Sequence, residues 1–98
     1  MVFTTAEIKK RLTPVLKKNN VSRAVLFGSY VKGTAKEESD IDLLVDSNLR
    51  GLNFVGLIED IRQTLDDKEV DVIDASEVIA DSPIDKEINL TGIEIYAR

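Results

Sequence analysis

The sequence predicts an α/β (α+β) fold, a small three-stranded mixed sheet flanked by helices, and three observations lead there. Segments with apolar residues at helical spacing alternate along the chain with short β-branched or period-two runs. Turn-forming Gly, Asn and Asp residues fall between most of these segments. No repeat, low-complexity tract or linker interrupts the 98 residues, so one domain spanning 1–98 is expected.

Thr4 and Glu7 have capping-box spacing, and Ile8, Leu12, Val15 and Leu16 follow at helical intervals, which predicts a first helix over Thr5–Lys18. Pro14 marks a point where it can kink. Asn19 and Asn20 are stop signals, and residues 21–27 read as a buried strand that Gly28 and Ser29 end abruptly. Residues 30–34 have room only for a short helical turn, and the charged segment 36–39 reads as an exposed loop.

Residues 40–45 form a second strand with a period of two. Asp40, Asp42 and Leu44 share one face; Ile41, Leu43 and Val45 share the other. Phe54, Leu57, Ile58, Ile61 and Leu65 then return to helical spacing over 53–65, and Asp66, Asp67 and Lys68 make the turn that follows. Residues 69–73 are the third strand, with Val70 and Val72 opposite Asp71 and Ile73. Ser82 and Pro83 start a last helix through about Leu90, and Gly92 stops it. Residues 93–96 are either a short terminal strand or a tail packed on the core.

Composition narrows the chemistry. With neither cysteine nor histidine, disulfides, thiolate nucleophiles, Ser-His hydrolysis and Cys- or His-ligated zinc are excluded. Carboxylates, hydroxyls, lysine, arginine or a hard metal must do the work. Thirteen basic against eighteen acidic residues give a net charge of −5, which disfavours direct binding to nucleic acid but not to a nucleotide whose phosphates are neutralised locally. No apolar run approaches the roughly 20 residues that span a bilayer, so no membrane association and a cytoplasmic location are expected.

Asp40 and Asp42, one residue apart on a strand, point to one face with Cα atoms about 6.8 Å apart. That suits half of a Mg²⁺ site, completed by waters and the oxygens of a triphosphate. Just upstream, Gly28-Ser29 closes a strand and opens a helical turn, whose outward amides and serine hydroxyl suit a phosphate. Gly33 lets the chain turn back toward the second strand, and Lys32 reads either as a surface lysine or as a cation that meets the triphosphate. Asp71 is the best candidate for a third carboxylate, helping a metal bind an acceptor hydroxyl and taking its proton. Taken singly, a Gly-Ser is usually a turn and an Asp-x-Asp a solvated strand edge. Their combination in matching secondary-structure context is what carries the inference. Asp46, Asp74, Glu37, Glu38 and the pair Asp66-Asp67 are read as solvated charges.

The run from Gly28-Ser29 through ten residues to Asp40-Ile41-Asp42 resembles the signature of the DNA polymerase beta-like nucleotidyltransferase superfamily. Within it, the chain is most similar to the minimal nucleotidyltransferases, the antitoxin half of HEPN/MNT pairs. The likeness extends to the leading helix, Leu26-Phe27, the strand Val70-Asp71-Val72-Ile73 and the Ile95-Tyr96 tail. It implies a polymerase beta-like fold, metal binding and catalysis by Asp40, Asp42 and Asp71, and nucleotide binding by Gly28, Ser29, Lys32, Gly33 and Ser39. It also implies Mg²⁺ as cofactor, ATP as substrate and AMP transfer to a tyrosine of a HEPN-domain toxin. The family commonly has arginine where Lys32 stands, and lysine lacks the same planar fork.

Two functions of different class are therefore expected. One is a protein adenylyltransferase; the other is a binding module that neutralises a toxin by masking it, without catalysis. An antibiotic-modifying transferase fits less well, because no length remains for an acceptor-binding helical region. Docking onto a partner, or a homo-oligomer supplying the missing wall, follows from the same shortage.

Overall fold

In the computed structural model, which describes residues 2–98, eight regular elements follow one another. They are α1 (Thr5–Lys18), β1 (Arg23–Phe27), α2 (Ser29–Lys32), β2 (Ile41–Asp46), α3 (Leu52–Thr64), β3 (Val70–Asp74), α4 (Pro83–Thr91) and β4 (Ile93–Ala97). A single 3₁₀ turn, Ala75–Glu77, links β3 to the segment before α4.

The capping box forms as its spacing predicts. Thr4 N–H donates to Glu7 Oε1 at 3.0 Å and Glu7 N–H to Thr4 Oγ1 at 3.1 Å. α1 continues through Pro14. Proline costs a helix the hydrogen bond to the residue four back, and here both Pro14 and Lys10 are exposed, where water can take that carbonyl.

The sheet has four strands in the order β3-β2-β1-β4, not three. It is mixed, as expected: β1 runs antiparallel to β2 and β4, while β2 and β3 are parallel. In β4, Ile95 and Tyr96 are consecutive apolar residues, which simple alternation would send to opposite faces. A register shift opposite Ala24/Val25 resolves this. With an irregularity there, buried Ile95 and half-buried Tyr96 both pack on one cluster.

The two faces of the sheet are unequal. Ala24, Leu26, Ile41, Leu43 and Val45 meet Ile8, Leu12 and Leu16 of α1 and Leu57 and Ile61 of α3 in the main core. Burying each such leucine or isoleucine stabilises the fold by about 1.5–3 kcal/mol. On the other face a smaller cluster joins Val25, Phe27 and Leu44 to Ile88 of α4. Gly92 lets α4 end against β1, since a Cβ there would fall 2.7 Å from Val25 Cγ1.

Asp74 is corrected from a solvated charge to a buried one, only 5% exposed. Its Oδ1 accepts from Ser47 Oγ at 2.7 Å and Ser47 N–H at 3.2 Å. Its Oδ2 accepts from Ser76 Oγ at 2.6 Å and Ser76 N–H at 3.0 Å. It thereby clamps the end of β2 to the end of β3 and caps the 3₁₀ turn. Asp46, Glu38, Asp66 and Asp67 are exposed as expected, with Asp66 in an ion pair to Arg11 at 3.4 Å. Among the described residues, no helix is long and apolar enough to cross a membrane.

Candidate nucleotidyl-transfer site

Strand alternation puts Asp42 on the thinly covered face, and register fixes its neighbours. Phe27 of β1 is its partner on one side and Asp71 of β3 its partner on the other. Paired strands lie about 4.8 Å apart, so the Asp42 and Asp71 side chains start side by side on one surface. Asp40 precedes β2 by one residue and is exposed, as is Asp71; Asp42 is half-buried.

Gly28 follows β1 directly and sits against Asp42. A Cβ built on it would lie 3.1 Å from Asp42 Cγ and closer still to Oδ2. Its φ of +79° is a conformation that side chains disfavour, so glycine is required on two counts. Gly28 also caps α2 without any side-chain hydrogen bond, while its carbonyl accepts from Val31 and Lys32 N–H, each at 3.1 Å. Ser29 is half-buried at the first position of α2. Gly33 closes α2 with φ +76°, its N–H donating to the Ser29 carbonyl, and the chain turns back toward β2.

Two residues have other partners. Ser39 Oγ accepts from Lys36 N–H at 2.9 Å, and Ser39 N–H donates to the Lys36 carbonyl at 3.0 Å, which closes the loop 36–39. Lys32 Nζ lies 3.7 Å from Glu87 Oε2. Sequence reading missed Glu87. Its signal is that it stands three residues after Ile84 and one before Ile88, a charge beside the apolar stripe of α4.

The electrostatics fit a cation. Burial raises the Asp42 carboxyl above its ordinary range, and the charges of Asp71, Asp40 and Glu87 raise it further, with Lys32 as the opposing influence. Such crowding of anions is costly until positive charge relieves it. The donors are all hard oxygens, which suit Mg²⁺. Among the described residues no three acidic side chains meet as a ready-made metal cage. An ion that completes its shell with water and phosphate needs only one or two protein carboxylates at a time.

A glycine corner pressed on Asp42, with Asp71 abreast of it on the next strand, is thus carried on a mixed sheet backed by α1 and α3. The family model described as Polymerase beta, Nucleotidyltransferase matches residues 10–98, and the chain belongs to that family. This bears out the resemblance carried by the Gly-Ser and Asp-x-Asp signature.

Among relatives, MJ0435 of Methanocaldococcus jannaschii, provisionally named a protein adenylyltransferase, is 44% identical over 69 residues, 68% of this chain and 73% of that protein. The protein adenylyltransferase MntA of Thermococcus cleftensis is 45% identical over 49 residues, 46% of this chain and 50% of MntA. A crystal structure of a toxin–antitoxin with AMP-PNP superposes with a TM-score of 0.77 at 23% identity, over 92% of this chain and 73% of that one. A structure of tri-AMPylated Shewanella oneidensis HEPN toxin in complex with MNT antitoxin gives 0.71 at 19% identity, over 97% and 74%. At these identities the structural likeness is one of fold.

Proposed function

We propose that this nucleotidyltransferase is a Mg²⁺-dependent protein adenylyltransferase that moves AMP from ATP to a tyrosine hydroxyl of a HEPN-domain partner, and so acts as an antitoxin in the cytoplasm. The observation that carries this reading is the register pairing of Asp42 with Asp71 beside Gly28. The adenylyltransferase relatives and the toxin–antitoxin folds support the choice of acceptor.

In this reading Asp40, Asp42 and Asp71 would hold the metal, which when bound supplies the positive charge that the triphosphate and departing pyrophosphate require. Gly28 and Ser29 receive phosphate oxygens through backbone amides and the serine hydroxyl, with Gly33 and Ser39 shaping the loop around them. Lys32 contributes the mobile cation. The acceptor oxygen attacks the α-phosphorus in line, a P–O bond forms to it, and the bond from that phosphorus to the bridging oxygen breaks. Asp71, the more exposed of the paired carboxylates, takes the hydroxyl proton. Pyrophosphate leaves with the bridging oxygen.

Mass spectrometry of a HEPN partner incubated with the protein, ATP and Mg²⁺ tests this. AMP should be added on a tyrosine by the native chain, and none by a variant with Asp40→Asn and Asp42→Asn. If that double variant still neutralises the partner with no AMP added, masking is the function. Exposed Ile79 and Ile84 beside an apolar pocket lined by Ile73, Val78 and Pro83 give such a docking role a surface.

A further inference from the structure

Lys32 is the last residue of α2, and the carboxylate beside it comes from a different part of the fold. Glu87 lies on α4, whose next residue, Ile88, packs with Phe27 and Leu44 on the thinly covered face. Phe27 is the register partner of Asp42. The Lys32–Glu87 pair therefore stands at the rim of the carboxylate site, and both members act on Asp42 with opposite sign. Among the described residues, Asp71, Asp40 and Glu87 add negative charge around Asp42, and Lys32 opposes it. A triphosphate entering here meets repulsion unless it brings cations and draws Lys32 to itself.

We propose that Glu87 is a positioning residue for Lys32: it parks the ammonium at the rim while the site is free of nucleotide and gives it up to a phosphate oxygen when metal-loaded triphosphate arrives. The proposal rests on the nucleotidyl-transfer reading of the site. It requires only an exchange of ion-pair partners, with no bond made or broken. The side-chain exposures, 52% for Lys32 and 33% for Glu87, place the pair where water screens it and holds its strength low. A phosphate carrying more charge than a carboxylate can then win the lysine, whose flexible stem and rotatable donors suit a change of partner. Once the lysine has moved, Glu87 remains as an unpaired anion that penalises triphosphate lacking its metal.

Calorimetric titration of AMP-PNP with Mg²⁺ into the native chain, Glu87→Gln, Lys32→Gln and the double variant tests the exchange, with a melting curve for each. Glu87→Gln should tighten binding about three- to fivefold, as expected for loss of a competing exposed ion pair. The same change in the Lys32→Gln background should give a smaller gain. The ¹⁵N resonance of Lys32 Nζ should shift on addition of nucleotide to the native chain and start nearer that position in Glu87→Gln. Unchanged or weaker binding by Glu87→Gln, or an equal gain with and without Lys32, overturns the proposal. Glu87→Ala, which keeps a good helix former, replaces the glutamine variant if that one melts early. No binding by the native chain strikes the nucleotide reading itself, whereas native binding that is indifferent to Glu87 removes only the exchange.

Discussion

Gly28 and Asp42 occupy adjoining strand ends so tightly that the glycine's missing side chain is the space the aspartate uses. Gly28→Ala must therefore displace Asp42 and hold a methyl-bearing residue at φ +79°. The expected cost is about 1–3 kcal/mol, read as a lower midpoint in urea. Magnesium-dependent nucleotide binding should fall as well. An unchanged midpoint would show that the close approach does not constrain the corner.

Asp42→Asn should make the metal-free protein more stable while abolishing transfer. The folded carboxyl of Asp42 is raised by burial and by Asp71, Asp40 and Glu87. Its stabilising contribution is thus complete below the ordinary carboxylate range and is lost as pH rises through the folded value. At neutral pH the ionised group opposes folding, and asparagine removes that opposition. Solvent screening of a half-exposed group limits the gain to less than about 1 kcal/mol, a rise of a few degrees in melting temperature without Mg²⁺. A lower melting temperature would contradict this account.

Asp74 behaves in the opposite sense. Burial alone would raise its carboxyl, but hydrogen bonds from Ser76 and Ser47 outweigh burial and hold it below the ordinary range. Its contribution is present above the ordinary carboxylate value and disappears as pH falls through the lower folded one. Asp74→Ala should cost about 1–3 kcal/mol at neutral pH, since four donors lose their acceptor. That deficit should shrink on acidification, in denaturation curves taken across the acid limb. A deficit independent of pH would rule out the carboxylate as its source.

Tyr30 presents a milder case. The residue is buried in the main core, and its hydroxyl has no hydrogen-bond partner among the described residues. Tyr30→Phe removes a polar group that gains nothing from burial, so stability should be unchanged or higher by up to about 1 kcal/mol. Thermal melting decides it; a clear loss would reveal a partner for the hydroxyl.

Much of this was legible in advance because local rules were obeyed. Thr4, Glu7 and the Ile8, Leu12, Leu16 stripe specify α1 without reference to anything distant, and alternation in β2 and β3 puts Asp42 and Asp71 on matching faces. What stayed hidden depends on partners far along the chain. Residues 93–96 read equally as a short strand or a tail until pairing with β1 in a shifted register makes them a strand. Asp74 is chemically indistinguishable in sequence from an exposed strand-end aspartate; only the return of Ser47 beside it makes a buried clamp. Glu87 could be suspected from its helix position, but its meeting with Lys32 is a product of tertiary packing.

The parallel pairing of β2 with β3 has a mechanical corollary. Asp42 and Asp71 are brought abreast by a connection that travels through α3, and α3 is seated on the reverse side of the sheet by Leu57 and Ile61 against α1. Alignment of the two acids is thus delegated to grease they never touch. Trimming a methyl from that far layer, as in Ile61→Val, would be felt as a slackened spacing of the two carboxylates before any loss of shape became visible.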